Sequence, residues 1–118
     1  MMVAVYHHTK TYQNIVTSKR AVLQLLTEDL AAVTKICGHQ SGNSVNKITR
    51  LQKRYQLADC NGIPYFADSA GYLDLELQKL LPVGGDHDLA IFSVLKHKNL
   101  IEKPILTTNY MRQKGLLR

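Results

Sequence analysis

Between Gly71 and His97 the chain reads GYLDLELQKLL, then PVGGD, then HDLAIFSVLKH, and no other stretch limits the possible folds so strongly. Leu73, Leu75 and Leu77 alternate with Asp74, Glu76 and Gln78. That period of two puts the leucines on one face of a strand and the polar side chains on the other. Pro82, Gly84, Gly85 and Asp86 punctuate the chain, after which Ile91, Phe92 and Val94 bring back strand-forming residues, with Leu89, Ile91, Ser93 and Leu95 sharing a face. Strands over 72–81 and 87–97 joined by a glycine turn make a hairpin, and one this apolar needs a larger sheet around it.

His87 stands where the turn feeds the second strand, so its imidazole is expected at the rim of the sheet. Two readings compete there: Gly84, Gly85 and Asp86 as turn formers with His87 a solvated strand start, or a functional imidazole.

Upstream, Met1 to Tyr6 is a β-prone run ending in His7, His8, Thr9, Lys10 and Thr11, where either threonine can cap a short helix carrying Tyr12, Ile15 and Val16 on one face. The adjacent histidines read as a solvated pair, because neighbours on a strand point to opposite faces and seldom share one ion. Ala21 to Leu26 is a second strand, buried by its apolar continuity. Thr27 then caps a helix through Cys37, with Glu28 and Asp29 in its first turn, Lys35 in its last and Gly38 beyond; Leu26, Leu30, Val33 and Cys37 form its inner face.

Gly38 to Ile48 places small and hydrogen-bonding residues before a basic helical turn. Backbone N–H groups of such a loop can cradle a phosphate, with Lys47 adding a charge; an ordinary loop in which Ser41, Asn43 or Ser44 caps the next helix is the alternative. Lys47, Arg50, Lys53 and Arg54 recur at near-helical intervals, as a solvated face or a phosphate-binding stripe would. Tyr55 is the only aromatic beside them, so nucleic acid is the weaker partner. Gln56 to Phe66 reads as irregular chain around Asn61-Gly62-Ile63-Pro64, and Met111 to Arg118 as a surface tail.

Several of these stretches, in this order, resemble the flavin reductase-like domain, the FMN-binding split barrel. The carriers are Gly85-Asp86-His87 before a long strand, Pro104-Ile105-Leu106-Thr107-Thr108-Asn109-Tyr110 after it, Ala67 to Leu73 entering the hairpin, and Gly38, Ser41, Gly42 and Lys47 of the family's F-G-x-x-S-G-x-x-x-D-K-F. Asn46 replaces that motif's aspartate. The resemblance implies a mainly β, α+β fold, a split barrel of FMN-binding type formed by one domain over 1–118. It also implies that two strands of the family would precede Val3, so the domain is expected to be truncated at its N-terminus.

By the same resemblance the cofactor is FMN, with FAD as the alternative, reduced by NAD(P)H and passing electrons to an acceptor. Ser41, Gly42 and Lys47 fall on its phosphate and ribityl side and His87 on the ring or nicotinamide side as the catalytic residue, with Thr9, Thr11 and Tyr110 as further cofactor contacts. A homodimer is implied. A non-catalytic flavin-binding or scaffold protein and a small basic nucleic-acid-binding domain are the competing classes.

The net charge of +6 favours anionic partners without choosing among them. Apolar runs fall well short of the roughly 20 residues of a membrane span, and no basic-then-apolar leader opens the chain, so a cytoplasmic protein is expected. Cys37 and Cys60 form no C-x-x-C pair and read as reduced thiols; with His39 they lack a zinc spacing, so no metal is expected. No Ser-His-Asp or paired-carboxylate pattern suggests a hydrolase.

Overall fold

A computed structural model describes residues 1–34 and 47–116. Its centre is the anticipated hairpin: β5 (Gly71–Pro82) and β6 (His87–Asn99) run antiparallel along their whole length. β1 (Met2–Tyr6) adds to the outer edge of β6 and β2 (Arg20–Leu25) to that of β5, giving one antiparallel sheet in the order β1-β6-β5-β2. Helix α1 (Lys10–Ser18) connects β1 to β2 and is capped by Thr9, whose side chain accepts from the Tyr12 amide. Lys19, in the left-handed region at φ 62°, turns the chain from helix into strand.

Two irregularities bend the central pair. Leu95 is an extra residue on β6 between Asp74 and Leu75 of its partner, and Gln78 an extra residue on β5 between the pairs of Leu77 and Lys79. Bulges raise the local twist and bend a strand, so a four-stranded sheet curls toward a half-barrel. Its inner face holds Leu73, Leu75, Leu77 and Leu80 with Val3, Val5, Ala90 and Phe92, covered by Ile15 and Tyr12 of α1.

The leucine face of β5 is therefore the one expected, but β6 is buried in the opposite phase. Ala90 and Phe92 are in the core, Leu89, Ile91 and Ser93 lie half-buried on the outer face, and Leu95 and Val94 are exposed. Alternation on β6 is ambiguous because both phases are apolar; the register Val3↔Ala90 and Leu77↔Phe92 decides it. Asp74, expected at the surface, is buried. A second hairpin, β3 (Leu57–Cys60) and β4 (Ile63–Phe66), packs Cys60 and Tyr65 against Tyr72 on the outer face. Beneath it Arg20 Nη2 reaches Asp74 Oδ1 at 2.7 Å and Oδ2 at 2.9 Å; that bond to the carboxylate raises the Arg20 guanidinium above its usual range.

This second hairpin replaces the irregular chain expected over Gln56 to Phe66. Its turn is Asn61-Gly62, both at positive φ (52° and 90°), the dipeptide best suited to a two-residue hairpin loop. The strand Ala21–Leu26 exists as β2, but it is an edge with Leu23 and Leu25 exposed, not a buried strand.

Thr27 does not cap a helix either. It bridges to Ile105, its hydroxyl donates to the Asp68 carbonyl, and the Glu28 amide donates to the Pro104 carbonyl. These tertiary bonds hold Glu28–Leu30 in a single 3₁₀ turn; helical residues begin at Val33, and Lys35 and Cys37 lie outside the described residues. Leu30 and Val33 still face inward, with Leu51 of helix α2 (Lys47–Gln52) and Phe66. After β6, Thr107 caps a short helix α3 (Thr108–Gln113) where a surface tail was expected from Met111 onward.

Phe92→Ala should lower stability by about 3–5 kcal/mol, whereas Leu95→Ala, only three residues on, should stay within about 0.5 kcal/mol. Urea unfolding of the two variants checks the phase of β6. A Cβ on Gly71 would lie 2.5 Å from the Lys98 carbonyl oxygen. Gly71→Ala should therefore displace the neighbouring strand and cost roughly 1–3 kcal/mol in the same measurement.

Candidate functional site

The turn that joins the two long strands ends at Asp86, and His87 opens β6 directly opposite Tyr6, the last residue of β1. Gly84, at φ 80°, supplies a backbone conformation that L-residues rarely adopt. His87 is one-third exposed; its Nδ1 lies 3.1 Å from Asp86 Oδ1, and its ring centroid is 5.5 Å from that of Tyr6. The bond to His87 pulls the Asp86 carboxyl below its usual range. So the imidazole is fixed at the sheet rim, as expected, against an exposed phenol.

One residue further along, on the inner face, Asp88 is buried. His7 Nε2 lies 2.8 Å from its Oδ1, and the Tyr12 hydroxyl donates to its Oδ2 at 2.9 Å. The bond to His7, followed by that to Tyr12, lowers the Asp88 carboxyl; the same bond to the carboxylate raises the Tyr12 phenol. The His7 amide donates to the Asp86 carbonyl at 3.0 Å, so the loop after β1 and the turn before β6 are tied together. His7 is thus a partnered residue and not half of a solvated pair. Asp88 carried a usable signal: it shares a phase with Ala90 and Phe92, where a buried strand wants an apolar side chain, and such an acid needs partners.

Thr9 sits in the same corner, but its hydroxyl is engaged in structure, donating to the Tyr6 carbonyl and accepting from the Tyr12 amide. Thr11 is an exposed residue of α1. Tyr110 belongs to α3, where its amide bonds to Thr107 Oγ1 and its ring lies 5.6 Å from Lys114 Nζ; no described contact brings it to the His87 corner. Ser41 and Gly42 lie outside the described residues, and Lys47 opens α2. That helix ends at Gln52, so Lys53 and Arg54 fall in the turn beyond it and the basic stripe does not run along one helix face.

A groove of about 590 Å³ lies at the other end of the sheet, lined by Leu25, Leu73, Leu100, Ile101 and Ile105 with His97, Lys98 and Lys103 among its polar residues. Ten residues of strand separate His97 from His87, roughly 33 Å at the usual rise. Cavity and imidazole corner are separate features. Lys103 is engaged with Asp29 at 2.9 Å, which raises its ammonium above the usual range.

Among the described residues, no cluster of three or more His, Cys, Asp or Glu is arranged to hold a metal ion, and no helix is long and apolar enough to cross a membrane.

The Asp88 carboxyl titrates lower in the folded chain than unfolded. Its contribution to stability is therefore complete above the unfolded value, about 3.9, and is lost as pH falls through the lower folded value. Asp88→Asn should reduce the dependence of the melting temperature on pH below about 4 relative to the parent, read by thermal melts across that range.

The fold matches the FMN-binding protein of Thermus thermophilus with bound p-hydroxybenzaldehyde (TM-score 0.71, 19% identity, 87% of this chain and 58% of that one). It also matches the flavin reductase PheA2 in its native state (0.68, 21%, 89% and 62%). A third match is the NADH:FAD oxidoreductase SgcE6 of Streptomyces globisporus C-1027 in complex with NAD and FAD fragments (0.71, 15%, 88% and 59%). This chain thus spans about three fifths of each of these structures. No curated protein sequence matches it. The family described as flavin reductase like domain matches residues 1–114, and the curled, mainly β sheet with flanking helices is a split barrel of that kind; the chain belongs to the flavin reductase-like family.

Proposed function

We propose that this protein binds a flavin, FMN in the first instance and FAD as the alternative, and uses it to pass reducing equivalents from NAD(P)H to an acceptor. The observation that carries the reading is the Gly85-Asp86-His87 turn, which fixes an accessible imidazole at the sheet rim in a chain of this family. A flavin supplies the hydride-accepting ring. What the chain supplies is a place for it. The exposed Tyr6 phenol offers an aromatic surface, and His87 beside it offers a nitrogen that can donate or, once protonated, carry positive charge. These features fit an aromatic ligand whose polar edge gains negative charge on reduction.

Ser41, Gly42 and Lys47 would hold the phosphate and ribityl side, as the family motif in this sequence implies. Thr9 and Thr11, which bracket the start of α1, would add contacts at the rim, and Tyr110 is the candidate farther off, on α3. The reading includes a homodimer, supported by the apolar surface left open at Leu23, Leu25, Val94 and Leu95. It also includes a cytoplasmic setting, which the free, buried Cys60 thiol suits.

Titration with FMN and FAD, followed by flavin fluorescence, tests binding; single-turnover bleaching by NADH and by NADPH tests transfer and separates a catalyst from a passive binder. Lys47→Ala should weaken FMN about ten- to a hundred-fold, the equivalent of losing a charge-assisted phosphate contact worth about 1.5–3 kcal/mol. His87→Ala should slow bleaching more than it changes FMN affinity, and His87→Gln should slow it less. A parent protein that binds neither flavin would overturn the reading; light scattering at micromolar concentration decides the dimer.

A further inference from the structure

β1 pairs with β6 as far as Ile91, and Phe92 completes that ladder: its amide donates to the Met1 carbonyl at 2.8 Å, and the Met1 ammonium donates to its carbonyl at 3.0 Å. From Ser93 to Asn99, β6 is paired to β5 alone among the described residues. The edge turned away from β5 therefore keeps its N–H and C=O groups for another strand. Hydrogen bonds to one side recur at every second residue of an antiparallel strand, so the Val94 amide, two residues on from Phe92, belongs to this edge. Val94 and Leu95 are 46% and 48% exposed, and Lys96, His97, Lys98 and Asn99 are exposed after them. The register sorts these side chains between the faces. Val94 and His97 stand opposite Leu75 and Leu73 on the inner face, and Lys96 and Lys98 opposite Asp74 and Tyr72 on the outer one. Neither lysine has an ion-pair partner among the described residues, the Asp74 carboxylate being held by Arg20. His97 and Leu73 also line the groove of about 590 Å³, where Glu102 is the one acid of the lining.

We propose that the Ser93–Asn99 edge of β6 docks an extended segment of another protein, one that alternates acidic and apolar residues and joins the sheet as a further strand. Backbone pairing supplies the affinity of such an addition, and the alternate side chains supply its specificity. The acids of the segment meet Lys96 and Lys98 on the outer face, while its apolar residues lie beside Val94 on the inner face and reach the groove at His97. Lysines and a bulge are what guards an edge against indiscriminate pairing. Here they leave an edge that rejects basic or neutral strands and accepts an acidic one. A second copy laid antiparallel over the same stretch would bring another Lys96 and Lys98 to the lysine face, and like charges placed opposite each other destabilise a pair. That leaves Leu23 and Leu25, on the β2 edge, for a contact between copies. The proposal is independent of the flavin reading.

The probe is a fluorescent peptide, Glu-Val-Glu-Val-Glu-Val-Glu with blocked ends, titrated with the full chain by anisotropy. Binding should saturate and weaken about tenfold or more as salt rises from about 0.02 to 0.5 M. Replacing both exposed lysines, Lys96→Gln with Lys98→Gln, should weaken it about tenfold, and the peptide with lysine for glutamate should not bind. A peptide with proline for the central valine keeps every charge but cannot donate from that residue, and should also lose about tenfold. In hydrogen exchange followed by NMR, the Val94 amide should be open in the free protein and protected at saturating peptide. No binding at about 1 mM peptide overturns the proposal. Equal binding of the lysine peptide overturns the acidic partner. Binding that the proline leaves intact, with the Val94 amide still open, is charge attraction without pairing and overturns strand addition. Protection of that amide that grows with protein concentration in the absence of peptide assigns the edge to a second copy and overturns the proposal as well.

Discussion

Everything in this molecule hangs on the ladder between β5 and β6. These strands pair with each other from Gly71↔Asn99 to Pro82↔Asp88 and each also carries one outer strand, so neither β1 nor β2 has a sheet without them. The ladder also bends the sheet, since one bulge lies on each strand. A flat sheet of four strands would expose the inner leucines; a curled one lets α1 cover them. The hairpin turn is as consequential as the ladder, because its end sets where His87 stands.

Two buried carboxylates show how the faces of this sheet differ in purpose. Asp74, on the outer face, is held through both of its oxygens by one guanidinium nitrogen, Arg20 Nη2, from the neighbouring strand beneath the small hairpin. Arginine stays charged across the working range, so that pair keeps one state and serves to fasten β2 to β5. Asp88, on the inner face at the opposite end, meets an imidazole and a phenol. Those partners hydrogen-bond to it without a fixed charge of the arginine kind, and they leave the imidazole partly open. One acid is matched to a permanent cation and the other to an imidazole and a phenol, one residue along β6 from His87.

The sequence made legible what local pattern controls. The β5 leucines, the glycine turn, the Thr9 cap and the two-strand centre follow from side-chain period and turn chemistry, and the motif order pointed to the family. The phase of β6 was hidden, since Leu89 and Ile91 are as apolar as Ala90 and Phe92, and only pairing with Val3 and Leu77 settles which set goes inside. The Thr27 segment looked like a capped helix because its capping partners, Asp68 and Pro104, are distant in sequence. Asn61-Gly62 is a two-residue hairpin signal even with Pro64 close behind, since proline is tolerated in a two-stranded ribbon where its missing N–H has no partner to satisfy. The place of His87 at the sheet rim was legible from its turn. His7 and Tyr12 were not, for the bonds that tie them to Asp88 span 81 and 76 residues.

The pairing of β1 has a further consequence for how the chain is made. Its only sheet partner among the described residues is β6, and the first rung joins Met2 to Ile91. On the ribosome β1 therefore emerges long before the residues of β6 that pair with it have been polymerised. At about 5–20 residues per second that wait lasts several seconds, with Val3 and Val5 open to solvent and to other nascent chains. The strand is short and runs at once into His7, His8 and Lys10, a polar flank of the kind that keeps an unpaired β segment from associating with another. Closure of the sheet is then a long-range step, and the corner where His7 meets Asp88 is assembled only after β6 has been made.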